Sequence, residues 1–347
     1  MRLLMFEHGN GRRLGVLAAG GSDTVIDLTE LAKASGSTAP PPDLLALIDA
    51  GDVGMASLKR LLAKLKPSAG APVLQPLDKI KVLAPLDPPR GNVIAIGRNY
   101  AKHAAETAAK GEKPKPPTVF SKAITSITGP HDDIPIDPGV SEEIDWEVEL
   151  GVIIGKAGVN ITREDALEHV FGYTVINDVT ARDIQSDWGG QYFKGKSLDA
   201  SCPSGPCVVT PDEVDDPQAL NLRLMVNGTL KQDGTTSEMI HPVDSIIAWV
   251  SVGMTLLPGM MTASTDDATG QGPCLPSPQA AYRGLENQLY RVEVHQGGPL
   301  ATATFKWSRE NGSVLTRIVH VSGAVLTVDS LGPDANLGFA PLQWVEI

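Results

Sequence analysis

Apolar and polar residues alternate with period two through residues 144–150. Ile144, Trp146, Val148 and Leu150 fall on one face of a predicted strand, and Asp145, Glu147 and Glu149 on the other. The run continues into Val152, Ile153 and Ile154, which predicts burial. A second apolar run, from Phe171 to Ile176, predicts a strand ending at Asn177-Asp178. Successive side chains on one strand face sit about 6–7 Å apart, so two carboxylates can converge on one cation. Acids at the mouth of a buried strand need a partner, because an unpaired buried charge is costly. A hard divalent cation with oxygen ligands is the natural one. The competing reading, a solvated acidic face paired with Lys or Arg, is the commoner outcome for a bare Glu-x-Glu.

The remaining pattern predicts a mixed α/β, β-rich protein. Residues 1–75 read as a small α/β domain: two strands joined by a His-Gly-Asn-Gly turn, a third strand at Val25–Leu28 running into the helix-like LTELAKA, a helix LLALIDAG opened by Pro42-Asp43, and a second amphipathic helix MASLKRLLAKLK. Residues 76–90 form a Pro-rich linker. A strand from Asn92 to Ile96 then leads into GRNYAKHAAE, where His103 and Glu106 share one helical face. Such a pair is usually surface decoration, but a carboxylate that fixes the tautomer makes His a general base. Lys122 follows a short apolar strand, and the pattern leaves it equally a site residue or a solvated strand-end lysine. His131, Asp132 and Asp133 lie among prolines and read as turn residues. Cys202 and Cys207 flank a predicted Pro-Ser-Gly-Pro turn and read as packing residues. Asn227-Gly228 between apolar runs predicts a β-hairpin, and Ile246, Ile247, Trp249 and Val250 a buried helix face.

Composition narrows the classes. The chain of 347 residues is 42% hydrophobic and 20% charged, ordinary for a globular protein of two or three units. A formal charge of −12 disfavours nucleic acid and anionic membranes as partners. No run approaches the ~20 apolar residues of a membrane span. The first apolar run is too short for a signal peptide, and the three cysteines fit no zinc spacing, so a reduced cytoplasm is expected.

DWEVELGVIIGK followed by GYTVINDVTARDIQ resembles the metal-binding core of the fumarylacetoacetate hydrolase family, from about residue 92 to about residue 259. The resemblance implies a β-roll core and a divalent metal, usually Mg²⁺ or Mn²⁺ and in some members Ca²⁺, held by Glu147, Glu149 and Asp178. GRNYAKHAAE is similar to the family segment whose His and Glu activate water, which assigns that dyad to His103 and Glu106. The resemblance also implies substrate contacts for Arg98, Tyr100, Lys122, Arg182 and Gln185. Lys196 matches the family lysine that faces the metal, where a fixed ammonium stabilises a substrate carboxylate or an enolate. An N-terminal module used in packing and a homodimer are further implications.

The resemblance breaks after Leu257-Pro258-Gly259. Met260 stands where the family carries Asp, and Ser264, Thr265 and Asp266 fall near the place of its Thr-Gly-Thr-Pro turn. A core is therefore expected at 91–262, with a divergent β-rich segment at 263–347 that resembles a module of phage-tail-like proteins. Those strands either fill the vacated places in the roll or form an appendage. The expected activity is hydrolysis of a carbon–carbon bond in a β-diketo or 2-oxo acid, of acylpyruvate or fumarylpyruvate type. The alternatives are a decarboxylase, isomerase or dehydratase on 2-oxo acids, a promiscuous esterase, or a catalytically impaired fusion whose tail serves assembly.

Overall fold

The computed structural model describes residues 1–18, 23–66, 70–97, 99–100 and 116–265, and four strands beyond them, 290–296, 304–309, 318–322 and 325–328. The chain divides into two compact units, Met1–Leu275 and Pro276–Ile347. Among the described residues no helix is long and apolar enough to cross a membrane.

The first unit opens with the hairpin β1 (Arg2–His8) and β2 (Gly11–Leu17), then β3 (Thr24–Asp27) and helices α1 (Leu28–Ala34), α2 (Leu44–Asp49) and α3 (Gly51–Leu62). Asp27 caps α1 by accepting from Thr29 N and Glu30 N, and Asp43 caps α2 through Ala46 N. Short strands β4 (Leu74–Pro76) and β5 (Val82–Leu83) lead to β6 (Val93–Gly97), β7 (Thr118–Lys122), β8 (Ile127–Thr128) and β9 (Ile144–Asp145). Then come β10 (Val148–Ile154), β11 (Val170–Asn177), β12 (Thr180–Ala181), α4 (Arg182–Asp187), α5 (Tyr192–Gly195) and β13 (Cys202–Val209). The hairpin β14 (Asn221–Val226) and β15 (Thr229–Thr235), α6 (Val243–Val250) and β16 (Met261–Thr265) complete this unit.

One mixed sheet runs β4-β3-β2-β1-β13-β11-β10-β16-β6-β7, with β5 beside β1 and β8 beside β13. Pairing is antiparallel except for β16 with β6 and β13 with β8. β7 and β8 are separated by only residues 123–126, so the path from β13 through β10 to β7 comes back to β13 as a roll. β1 pairs with β13 at Arg2–Val209 and Leu3–Val208, so the N-terminal strands extend the sheet of the roll.

The period-two pattern sorts the two faces. Val148, Leu150, Val152 and Ile154 enter a core shared with α6 residues Val243, Ile246, Ile247 and Val250. Ile153, Ile176, Cys202, Met261 and Ala263 lie on the other face, in one core with Leu3, Met5 and Leu28 of the N-terminal elements. Glu149, in register with Ile176 on β11, shares the parity of Ile153 and lies on that second face.

Three local readings change. Trp249, expected on the buried face of α6 with Ile246, Ile247 and Val250, is exposed. The Pro-Ser-Gly-Pro segment is not a turn: Cys202–Val209 is one strand, paired to β8, β11 and β1. Proline lacks only a donor, and Gly205 takes φ +125° where the register with β11 shifts, so the extended run absorbs both prolines. The expected continuous strand over 144–150 is also broken. β9 pairs with β12, Trp146 and Glu147 lie between strands, and β10 begins at Val148. After Gly259 a short strand is present, since β16 lies between β10 and β6.

In the second unit, β17 (Tyr290–Gln296) pairs antiparallel with β18 (Thr304–Arg309), and β19 (Ile318–Ser322) with β20 (Val325–Val328).

Candidate metal centre

Glu147, Glu149 and Asp178 are all buried, and each offers a carboxylate oxygen within 4.8 Å of the others. Backbone bonds bring them together. Asp178 N donates to Glu147 O at 2.8 Å, and Asn177 Oδ1 accepts from Glu147 N at 3.1 Å. The break in the strand thus turns Glu147 toward the end of β11, while Glu149 sits one step along β10.

Three cations surround two of the acids. Lys196 Nζ donates to Glu147 Oε2 and, at 2.8 Å, to Asp178 Oδ2. Lys122 Nζ stands 2.7 Å from Asp178 Oδ1 and donates to the carbonyl oxygens of Lys196 and, at 3.3 Å, Val179. Arg182 reaches Glu147 Oε1, holds Asp145 Oδ2 at 2.7 Å and donates to Gln185 Oε1 at 3.0 Å. Glu149 differs: both its carboxylate oxygens are buried with no hydrogen-bond partner among the described residues.

The electrostatics follow. Burial, and then the charge of Asp178, push the Glu149 carboxyl well above the usual carboxylate range. Burial also opposes the charge on Asp178, but Lys122 and Lys196 override it and hold the group below its ordinary value. Burial likewise opposes the charge on Lys196, and Asp178, Glu147 and Glu149 override it, so the ammonium is held protonated.

This donor set fits a hard divalent cation. All three groups are carboxylates, they converge, and one of them is an orphaned buried acid whose natural complement is a positive ion. The three acids are not a solvated face, since none is exposed, although Glu147 and Asp178 do pair with Lys and Arg side chains as that competing reading expected.

Lys196 is aimed by its local chain. It follows α5, its N–H donates to Tyr192 O at 3.0 Å, and its ammonium lies 5.0 Å from the centre of the Phe120 ring. Tyr192 meets the same ring edge-on at 5.5 Å. The other expected residues fall as follows. Lys122, Arg182 and Gln185 are buried against the acids or one another. Tyr100 is buried and bridges to Met239. Arg98, His103 and Glu106 lie outside the described residues. Two partners were not singled out from the sequence. Asp145 was legible as a third acid in the alternation, and it anchors Arg182. Asn99 had no signal, yet it ties Ser264 Oγ at 2.6 Å to the backbone of His241.

Comparison with known proteins adds an independent line. The family model "Fumarylacetoacetate (FAA) hydrolase C-terminal" matches residues 92–264. A family of unknown function (DUF6519) matches residues 218–347, overlapping the end of the first. Oxaloacetate tautomerase YisK of Bacillus subtilis (strain 168) is 39% identical over 235 residues, 67% of this chain and 78% of that protein. The mitochondrial oxaloacetate tautomerase FAHD2B of Bos taurus is 40% identical over 262 residues, 75% of this chain and 78% of that protein. Among solved structures, the fumarylacetoacetate hydrolase of Exiguobacterium antarcticum superposes with a TM-score of 0.63 at 35% identity, covering 89% of this chain and 95% of that one. Maleylpyruvate hydrolase from Sphingobium sp. SYK-6, in complex with manganese(II) and pyruvate, superposes with a TM-score of 0.59 at 31% identity, covering 76% and 88%.

Proposed function

The chain belongs to the fumarylacetoacetate hydrolase family, and within it we propose a divalent-metal-dependent tautomerase that interconverts the keto and enol forms of a short 2-oxo acid, with oxaloacetate as the first substrate to test. The observation that carries the reading is the orphaned Glu149 carboxylate beside the paired Glu147 and Asp178. The choice of tautomerisation over hydrolysis is supported by relatives bearing that activity in their names.

Glu147, Glu149 and Asp178 would hold Mg²⁺ or Mn²⁺. When bound, the ion supplies Lewis acidity that makes the C3 protons of a chelating 2-oxo acid easier to remove. The chain's own groups do the rest. Lys196, kept protonated by the acids it bridges, presents a fixed positive charge to an enolate oxygen. Arg182 and Asp145 fix the orientation of Glu147. His103, with Glu106 setting its tautomer, takes a proton from C3 and returns it to the C2 oxygen, so the reaction moves one proton and consumes nothing. Arg98 and Tyr100 are assigned to the substrate. The working form is taken as a homodimer in a reducing compartment.

A second reading, hydrolysis of a carbon–carbon bond, is favoured by His103 and Glu106 in a segment similar to the family's water-activating one. There His103 deprotonates water, the oxygen adds to the distal carbonyl, and the carbon–carbon bond breaks to release a carboxylic acid and the enolate of the 2-oxo acid, which takes the proton back from His103. The likeness to maleylpyruvate hydrolase supports it.

The deciding experiment follows the ultraviolet absorbance of enol-oxaloacetate with protein and Mn²⁺, against Mn²⁺ alone. Acceleration that vanishes in Glu149→Gln is expected. No acceleration, together with cleavage of an acylpyruvate lost in His103→Ala, would replace the first reading with the second.

A further inference from the structure

Val148, the first residue of β10, separates Glu147, which precedes the strand, from Glu149 within it, and the backbone of Val148 is held from an unexpected direction. The N–H and C=O of one strand residue point to the same side. Pairing between β10 and β16 is described only as far as Glu149 opposite Thr265. Gln232 of β15 meets both groups of Val148 with its side chain. Its Oε1 accepts from Val148 N at 2.8 Å, and its Nε2 donates to Val148 O at 3.1 Å. The amide thus stands in for one residue of a neighbouring strand, and it is buried at 3% exposure.

The two bonds fall on the two peptides that join the ligands. Val148 N belongs to the peptide shared with Glu147, and Val148 O to the peptide shared with Glu149. The Glu147–Val148 peptide is gripped at its other end as well, because Glu147 O accepts from Asp178 N at 2.8 Å. One peptide plane therefore links Gln232 on one side to the backbone of the third acid on the other. Leu222 of the same hairpin joins the core, while Met225 and Leu230 near its tip are open to solvent. Its base is fastened separately: Gln218 donates to Thr236 O at 2.8 Å and accepts from Val243 N at 2.8 Å.

We propose that Gln232 is a positioning residue of the metal centre: through Val148 it sets the spacing of Glu147, Glu149 and Asp178, and so the affinity for the ion. This rests on the metal reading of the three acids but not on which reaction the site performs. Groups that orient metal ligands from outside the coordination shell typically change affinity by about 10–100-fold when removed.

The test is Mn²⁺ binding to the full chain, followed by electron paramagnetic resonance of free and bound ion, without substrate. Gln232→Met keeps the length and removes both bonds. Gln232→Asn keeps the amide but is one carbon too short to span both groups, and it serves if the first variant folds poorly. Gln218→Met removes the same kind of bonds from the same hairpin away from the acids, and controls for simple loss of stability. The expected result is Mn²⁺ affinity weakened about tenfold or more in both Gln232 variants, with a changed bound-ion spectrum, while Gln218→Met lowers the melting temperature and leaves affinity within about twofold. Affinity within about twofold of wild type in both Gln232 variants overturns the proposal, as does an equal loss in Gln218→Met. Failure of the wild type itself to bind Mn²⁺, with Glu149→Gln no different, overturns the metal reading and the proposal with it.

Discussion

Lys122 Nζ and Asp178 Oδ1 form an ion pair of 2.7 Å in which neither side chain has any exposed surface. Lys122 sits at the end of β7 and Asp178 just past the end of β11, so the pair ties two non-adjacent strands of the roll together. It also seats the chain that carries the second ammonium, since Lys122 Nζ donates to Lys196 O.

Breaking such a pair leaves a buried carboxylate short of its compensation, which costs about 3–5 kcal/mol. Lys122→Met is expected to lose stability of that order in urea unfolding with chelator present. Adding Asp178→Asn restores part of the loss, because the uncompensated charge is gone. If Lys122→Met lies within about 1 kcal/mol of wild type, the pair is not a structural fastening.

Glu149 gives a prediction of opposite sign. Its carboxylate is buried without a partner among the described residues. Glu149→Gln should bind Mn²⁺ far more weakly, yet unfold at an equal or higher temperature than wild type when both are metal-free. The pH dependence follows from the raised carboxyl. A raised folded-state value means that the folded chain holds the proton more tightly than the unfolded chain. The metal-free wild type therefore loses stability relative to Glu149→Gln as pH climbs from the ordinary carboxylate range through the folded value. Thermal melts in chelator across that range check the sign, and a gap that closes with rising pH would refute it.

Much of this was legible because period-two patterning is local. The alternation at 144–150 placed Val148 and Leu150 in one core and Glu149 on the opposite face, and the resemblance named the three acids that the fold brings together. The break at Trp146-Glu147 was not legible, because it depends on β9 pairing with β12 and on Asn177 capturing Glu147 N, contacts made across 30 residues or more. Gln232 was invisible for the same reason: a glutamine in a hairpin carries no mark of the strand that it will meet 84 residues away. The strand through Cys202–Val209 was hidden by two prolines that normally punctuate.

Cys202 lies in the same buried face, and burial pushes its thiol up to about 12. The nucleophile in alkylation is the thiolate, so Cys202 in the folded chain should be nearly inert to iodoacetamide at pH 8 and react readily once unfolded. Cys207 is less buried and should label sooner than Cys202. Peptide mass spectrometry of timed quenches distinguishes the two. Equal labelling of Cys202 with and without urea would show that this face opens in solution.

Gly195 is the residue before Lys196, and its hydrogen faces the backbone of α4. A methyl group there would stand 2.6 Å from Gln185 N, 2.7 Å from Ala181 O and 2.9 Å from Gln185 Cα. No rotamer change can relieve contacts that are all main chain, so Gly195→Ala must push α5 away from α4. Lys196 moves with it, because its N–H is bonded within the same turn, to Tyr192 O. A shift of about 1 Å in a reacting group can cost about 100-fold in rate, and overpacking of this kind costs about 1–3 kcal/mol in stability. Gly195→Ala should therefore lower kcat on the 2-oxo acid by about that factor while the chain still folds. If the effect passes through the ammonium, Gly195→Ala combined with Lys196→Met loses little more than Lys196→Met alone. Steady-state kinetics of the three variants decide it. A kcat within twofold of wild type in Gly195→Ala would mean that the two helical turns part without moving Lys196, and full additivity would place the damage elsewhere.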